Sequence, residues 1–193
     1  MKAFLKNVAS AVFIVAAFPL AAVSGFGRLE PVFYFGAQWC ALLPGWPGDC
    51  FRAAFYRLTL KSCAAGTRIQ FGSFFAHPHA IMGRGVYIGC HCVMGRADIG
   101  ERTQIASGVQ IISGRKQHGR ASDGRILGAE HDNFETIAVG ADCWIGAGAI
   151  LMADVGARTT IGAGSVVAYP IPSDCIAVGN PAKVVRRLNE GVA

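Results

Sequence analysis

The sequence predicts an all-β solenoid, a chain wound into stacked parallel coils, with an apolar helical segment in front of it. Two observations carry this prediction. From about Ile69 onward an aliphatic residue, often followed by glycine, returns at six-residue steps, and a short fixed period indicates a repeat architecture. Ahead of the repeat, the uncharged stretches 7–27 and 31–48 concentrate apolar residues beyond what a core needs.

The apolar segment, residues 1–61, is predicted to be a hydrophobic, membrane-associated hairpin followed by an amphipathic helix. Each uncharged stretch approaches the roughly 20 residues that span a bilayer, but proline and glycine interrupt both. A hairpin that re-enters or lies on the membrane therefore fits better than two straight spans. A cleaved secretory signal peptide remains an alternative for the first stretch.

Basic residues flank this hairpin on both sides, and the positive-inside rule then puts both of its ends in the cytoplasm. They are Lys2, Lys6, Arg52, Arg57 and Lys61. In the following helix Phe51, Phe55 and Leu58 fall on one face, as in a helix lying on a lipid surface. We therefore expect the protein at the cytoplasmic face of the bacterial inner membrane, with membrane lipid as a partner.

Composition excludes several classes of protein and partner. Only 16% of the 193 residues are charged, against roughly 25% in an average soluble domain, and collagen, coiled coil and general disorder are excluded. The net charge of +6 suits an anionic lipid surface. Lysine and arginine are dispersed and no reader motif accompanies them, so no nucleic acid is expected. Seven cysteines without zinc-like spacing predict free thiols and no metal site.

The repeat, residues 62–178, has two recurring positions in each hexad. An aliphatic residue leads, and a small or β-branched residue follows four places later, as in Ile99 with Thr103 and Ile105 with Val109. The leading side chain must point into a narrow interior, and the glycine after it lets the backbone turn without a clash.

The hexads stop at residues 113–136, where the sequence is rich in charge, glycine and histidine. A loop this long inside a compact solenoid is uncommon unless it is functional. We therefore predict that 113–136 is the active-site loop, with His118 and His131 as its two histidines.

Three fragments in order resemble the polysaccharide O-acetyltransferases of the hexapeptide-repeat acyltransferase family. They are ISGRKQHG, CWIGAGAILMADVGARTTIGAGSVV and VGNPAKVVRRL. The resemblance implies a left-handed parallel β-helix with three hexads per turn, which gives about five coils from Ile69 to Val178. It also implies a homotrimer with active sites between subunits, and acetyl-CoA as the acyl donor.

The resemblance also implies roles for single residues. His118 matches the loop histidine that acts as general base on the acceptor hydroxyl, and imidazole can take up a proton at neutral pH. The residues expected at the donor are Trp144, Ala147, Ala163, Lys183 and Arg186, the last two on a short C-terminal helix within the tail 179–193. Candidates for acceptor contact in the loop are Arg115, Glu130 and His131, and the carboxylate orienting His118 is left open among Asp123, Glu130 and Glu135.

The leading hypothesis is an acetyltransferase that modifies a sugar hydroxyl of a lipid-linked or surface polysaccharide precursor, so that a glycan or glycolipid is the acceptor. Alternatives are a soluble-type acetyltransferase for serine, a small sugar or an antibiotic, and a non-catalytic scaffold. The γ-type carbonic anhydrases share the β-helix, but the HxxxxH pair that they use for zinc is missing from this sequence.

Overall fold

The computed structural model describes residues 2–115, 117–129 and 134–188, with side chains of the first helix from Ser10 onward. Three helices come first: α1 (Lys2–Val23), α2 (Glu30–Ala41) and α3 (Gly45–Thr59), with a 3₁₀ turn at Gly25–Gly27. Pro19 lies inside α1 and does not end it. The chain reverses at the 3₁₀ turn instead, where Phe26 and both glycines have positive φ.

The rest of the chain is a parallel β-solenoid with three faces. Sheet A contains β1 (Ser62–Cys63), β4 (Ile81–Met82), β7 (Ala97–Ile99) and β12 (Ile137–Val139), extended by bridges through Val155 and Ile171. Sheet B contains β2 (Arg68–Ile69), β5 (Tyr87–Ile88), β8 (Gln104–Ile105), β13 (Trp144–Ile145), β15 (Thr160–Ile161) and β17 (Cys175–Gly179). Sheet C contains β3 (Phe74–Phe75), β6 (Val93–Met94), β9 (Gln110–Ile111), β14 (Ile150–Leu151) and β16 (Val166–Val167).

The predicted hexad roles are visible in the core. Leading residues such as Ile105, Ile145 and Ile161 are completely buried and lie above one another in sheet B. The small residues of the second position, such as Thr103 and Cys143, are also buried. Sheet B has six parallel strands, so the solenoid has about six turns rather than the expected five. The first turn begins at Ser62, before the first clear hexad, and the step from Ile145 to Ile161 and from Ile161 to Ala177 is 16 residues instead of three full hexads.

The expectation of a C-terminal helix is wrong. Residues Ala182–Arg187 form strand β18, which pairs antiparallel with β17 after a turn containing the cis peptide bond Asn180–Pro181. Two physical reasons favour the strand. The β-branched pair Val184 and Val185 lowers helix propensity, and the last parallel strand offers an open row of backbone groups that a further strand can satisfy.

Helix α3 is not the lipid-facing helix that the sequence pattern indicated. Phe55 and Tyr56 are completely buried, and the Tyr56 ring packs against Phe75 of the first coil at 5.0 Å between centroids. The Tyr56 hydroxyl also accepts a hydrogen bond from the Phe75 backbone N–H at 3.1 Å. The apolar face of α3 therefore covers the open end of the solenoid.

Arg52, which we expected at lipid headgroups, is completely buried. Its guanidinium donates to the carbonyl oxygens of Cys40 at 2.9 Å, Leu43 at 2.7 Å and Ile69 at 3.0 Å, and it pairs with Asp49 at 2.7 Å. One side chain thus joins the end of α2, the α2–α3 connection and the first coil. Since removing one partner of a buried ion pair leaves the other charge uncompensated, Arg52 should be strongly stabilising.

The helices keep a large apolar surface exposed. Its side chains are Val12, Val15, Phe18, Val23, Phe26, Leu29, Tyr34, Phe35, Trp39, Leu42 and Trp46. We call this set the apolar helical surface. Among the described residues, no helix is both long and apolar enough to cross a membrane.

Arg52→Met should lower the free energy of unfolding by about 3–5 kcal/mol, because Asp49 and several carbonyl oxygens lose their buried partner. Denaturant unfolding of the full-length chain in neutral detergent measures this. Arg28→Met is the matched control, since Arg28 is exposed in the same helical segment and surface changes stay within about 0.5 kcal/mol. Equal loss in both variants would contradict the assigned role of Arg52.

Candidate active site

The interruption of the hexads folds as a β-hairpin on the edge of the solenoid. Strand β10 (His118–Arg120) pairs antiparallel with β11 (Ile126–Ala129), and the chain returns to sheet A at β12. Because the hairpin follows β9 in sheet C, it leaves the solenoid at the edge between sheets C and A. The candidate base His118 is therefore carried at the start of a hairpin strand.

The hydrogen bond of His118 defines which ring nitrogen is available. Nδ1 lies 3.0 Å from the carbonyl oxygen of Leu127 on the opposite strand. A carbonyl oxygen can only accept, so Nδ1 must carry the proton, and in the neutral ring Nε2 keeps its lone pair. The ring is exposed. This is the tautomer that a base acting through Nε2 needs.

A backbone carbonyl therefore takes the place in which we expected a carboxylate. Asp123 instead pairs with Arg125 through its backbone N–H and its guanidinium, and these hydrogen bonds lower the pKa of the Asp123 carboxyl. Glu135 lies at the base of the loop, directly against Gly114: a Cβ added to Gly114 would be 2.6 Å from the Glu135 Oε2. Glu130 and His131 lie outside the described residues.

Aromatic contacts attach both ends of the loop to the edge between sheets C and A. The Arg115 guanidinium lies 4.7 Å from the ring centroid of Tyr169. The residue expected at the acceptor thus stacks on a ring two turns further along the solenoid. At the other end, Phe134 lies 5.5 Å from the Arg96 guanidinium and 5.3 Å from the His77 ring. The loop is therefore held on this edge by contacts that the hexad pattern does not reveal.

The residues expected at the donor come together on sheet B and its edge with sheet C. Trp144 of β13 pairs with Thr160 of β15, Thr160 with Ile176 of β17, and Ile176 with Arg186 of β18. Paired residues in neighbouring strands point to the same side. Trp144 is 60% exposed, so Trp144 and Arg186 share the outer face, about 14 Å apart at the strand spacing of about 4.8 Å.

Ala147 and Ala163 lie one above the other at the edge between sheets B and C. The backbone N–H of Gly164 donates to the Ala147 carbonyl at 2.8 Å. Lys183 pairs with Val178 in the neighbouring strand. Val178 in turn lies against the residue before Ala163, because a Cβ added to Gly162 would be 2.7 Å from the Val178 side chain. The two alanines and the two basic residues therefore border one continuous surface with Trp144, which we call the sheet B groove.

His118 is not part of this groove within one chain. The described contacts of its loop lie on the edge between sheets C and A, whereas the groove lies on sheet B and its edge with sheet C. Sheet C separates the two edges. A single chain thus carries a candidate base and a candidate donor surface, but on different edges.

The described residues contain no group of three or more His, Cys, Asp or Glu side chains arranged to hold a metal ion. The functional groups that the sequence missed are the Leu127 carbonyl, Tyr169 and Phe134. A carbonyl oxygen is present at every residue, so no residue type marks Leu127. The contacts of the Tyr169 and Phe134 rings depend on how the loop crosses other turns, which the hexad pattern does not indicate.

No family model matches the sequence. A serine acetyltransferase from Synechococcus elongatus is 34% identical over 116 residues, which are 58% of this chain and 42% of that protein. A galactoside O-acetyltransferase from Lactococcus lactis is 28% identical over 119 residues, 60% of this chain and 56% of that protein. The chain thus spans about half of the length of these relatives.

Solved acetyltransferases share the fold. A maltose O-acetyltransferase from Clostridium difficile 630 has a TM-score of 0.67 at 21% identity, covering 84% of this chain and 90% of that one. A galactoside acetyltransferase in complex with coenzyme A has a TM-score of 0.65 at 19% identity, covering 84% of both chains.

These relatives and solved structures are all acetyltransferases, so the resemblance to the hexapeptide-repeat acyltransferase family is confirmed as a similarity in sequence and in fold. Within that class the relatives acetylate chemically different acceptors: the names of the two sequence relatives specify serine and a galactoside. Similarity alone therefore does not identify the acceptor.

The neutral imidazole of His118 should carry its proton on Nδ1. Protein labelled with ¹⁵N in histidine, with His118→Asn to assign the signal, allows long-range ¹⁵N–¹H NMR to distinguish the two nitrogens. The Leu127 carbonyl predicts a protonated Nδ1 and an unprotonated Nε2. A proton on Nε2 instead would contradict the assigned tautomer.

Proposed function

We propose that the protein is an acetyl-CoA-dependent O-acetyltransferase acting on a sugar hydroxyl of a lipid-linked or surface polysaccharide precursor. The observation that carries the chemistry is the exposed His118 ring, whose Nδ1 is engaged by the Leu127 carbonyl so that Nε2 can accept a proton. The galactoside acetyltransferase complex supports coenzyme A as the carrier of the acyl group.

In the proposed reaction Nε2 of His118 takes the proton of the acceptor hydroxyl while its oxygen attacks the thioester carbonyl. The tetrahedral intermediate then collapses, the C–S bond breaks, and the imidazolium returns the proton to the departing sulfur. The products are the acetyl ester and free coenzyme A. General base catalysis of this kind contributes typically 10²- to 10⁴-fold.

The sheet B groove supplies the proposed donor site. Trp144 offers an exposed apolar ring to the pantetheine arm, and Ala147 and Ala163 leave the neighbouring surface flat. Lys183 and Arg186 are exposed at the end of the groove, where their charges suit the phosphates of coenzyme A.

A homotrimer would unite the groove with the base. His118 and the groove lie on different edges of one chain, so a cyclic assembly can bring the loop of one chain to the groove of its neighbour. Cyclic symmetry repeats such a contact at every interface and closes the ring. The proposed trimer thus has one active site between each pair of subunits.

Membrane association at the cytoplasmic face completes the proposal. The apolar helical surface is larger and more aromatic than a soluble surface requires, and Trp and Tyr favour the lipid–water interface. A lipid-linked acceptor explains why such a surface accompanies the solenoid. The similarity to serine acetyltransferase favours the alternative of a small hydroxylated acceptor, and assays with serine and with oligosaccharides separate the two.

His118→Ala should lower kcat at least 10²-fold while leaving acetyl-CoA affinity almost unchanged, because the imidazole acts on the acceptor proton. Arg186→Ala should have the opposite effect. It should leave kcat almost unchanged and raise the KM for acetyl-CoA roughly tenfold or more, because a charge-assisted contact is lost. Steady-state kinetics with a sugar acceptor measure both. His79→Ala and Arg158→Ala are exposed matched controls. A His118→Ala enzyme with more than about a tenth of normal kcat would contradict the role of His118 as general base.

Co-expression of His118→Ala and Trp144→Ala chains tests the shared site. At equal amounts and random assembly, about a quarter of the sites between subunits combine an intact base with an intact groove. Selection for both tags removes the homotrimers, and each mixed trimer holds one intact site among its three, so doubly tagged oligomers should recover about a third of wild-type activity, although each variant alone is nearly inactive. Activity no higher than that of the single variants would show that one chain builds the whole site.

A further inference from the structure

A cavity lies between α1, α3 and the first turn of the solenoid, at the opposite end of sheet B from Lys183 and Arg186. Its volume is about 690 Å³, within the range of small-molecule sites. The described residues that line it include Ser10, Trp46, Ala53 and Ala54 on the helices, and Gly66 on the solenoid.

One part of this cavity is apolar and reaches the surface. Ala54 is buried, Ala53 is half-buried and Trp46 is 60% exposed. The Trp46 ring packs edge-on against Phe13 of α1 at 5.8 Å, and Trp46 belongs to the apolar helical surface. The cavity is thus continuous with the surface that the proposed function assigns to the membrane.

The other part is positively charged. Arg57 is exposed and donates to the Ser10 hydroxyl at 3.2 Å; within the described residues no carboxylate lies at ion-pair distance from it. Arg68 also lines the cavity, but it shares Asp49 with the buried Arg52, at 3.1 and 2.7 Å. Asp49, which also lines the cavity, is thus shared by two guanidinium groups, and Arg57 adds a further positive charge, so the lining has an excess of positive charge.

We propose that this cavity binds the phosphate of an aliphatic lipid. Arg57 and Arg68 hold the phosphate oxygens, because the planar guanidinium matches phosphate geometry. The first part of the aliphatic chain lies against Ala53, Ala54 and Trp46, where it leaves water. This inference deepens the proposed function, on whose membrane association it rests, by assigning a class of lipid to a defined site.

Isothermal titration with decyl phosphate tests the site in the full-length chain, held in neutral maltoside micelles with empty micelles as the blank. Arg57→Gln should weaken binding roughly tenfold or more, since hydrogen bonds to charged groups contribute about 1.5–3 kcal/mol. Ala53→Phe, which narrows the apolar part, should weaken it similarly. Arg28→Gln, an exposed arginine of the same segment outside the cavity lining, should change it less than twofold.

Further probes separate the sources of phosphate. Inorganic phosphate provides only the anionic half of the chemistry and should bind at least tenfold more weakly than decyl phosphate. Equal binding of inorganic phosphate, or equal losses in Arg28→Gln and Arg57→Gln, would overturn the proposal. Phosphatidylcholine vesicles containing phosphatidylglycerol should float the wild type more than Arg57→Gln, and equal flotation would exclude a phospholipid headgroup as the ligand.

The same preparations distinguish the failure of this site from the failure of the proposed function. Acetyl transfer to a free oligosaccharide requires no lipid phosphate, so Arg57→Gln should retain it. An enzyme that transfers acetyl groups normally but binds decyl phosphate equally well with and without Arg57 would refute the lipid site alone. Arg57-dependent binding without any acetyl transfer would refute the function alone.

Discussion

The architecture depends on how closely successive coils stack. Parallel strands lie about 4.8 Å apart, so each turn passes directly over the one below it. A Cβ at Gly140 would be 2.4 Å from the backbone nitrogen of Ala157, and one at Gly146 would be equally close to that of Ala163. Neither glycine has a positive φ, so the close approach and not the turn requires glycine. In each repeated pair the aliphatic residue therefore fills the interior, and the glycine after it leaves room for the backbone of the next coil.

The same stacking leaves two ends that must be covered, and the chain covers them in different ways. At the C-terminal end, β18 satisfies the exposed edge of β17 with backbone hydrogen bonds. At the N-terminal end, α3 covers the interior of the solenoid with aromatic rings. Arg52 donates hydrogen bonds there to the carbonyl oxygens of Cys40 in α2 and of Ile69 in the first coil. A purely apolar side chain at Arg52 would leave these oxygens without a partner away from water, which is costly.

The solenoid could be predicted because the residues of each hexad indicate the conformation of that hexad. The residues of the sheet B groove were expected from the family resemblance and not from the period, two of them on a helix that is in fact a strand, and their role at the donor stays a prediction. The errors arose where sequence pattern is ambiguous. An apolar helix face looks the same whether it meets lipid or a solenoid, so Phe55 and Arg52 were assigned to the membrane. The partner of His118 could not be predicted, because a backbone carbonyl has no residue type. Trimer, acceptor and location stay predictions.

The long loop can carry function without disturbing the stack because the coil after it pairs directly with the coil before it. Ile137 pairs with Ala97 and Trp144 with Gln104, across the whole insertion. The groove thus lies on strands of the stacked coils, while the candidate base His118 lies on an attached hairpin at another edge. In the proposed trimer, this division means that an isolated chain has an exposed base but no donor beside it. In such a trimer the candidate base and the thioester would meet only after assembly, so an unassembled chain would hold the donor without a base beside it.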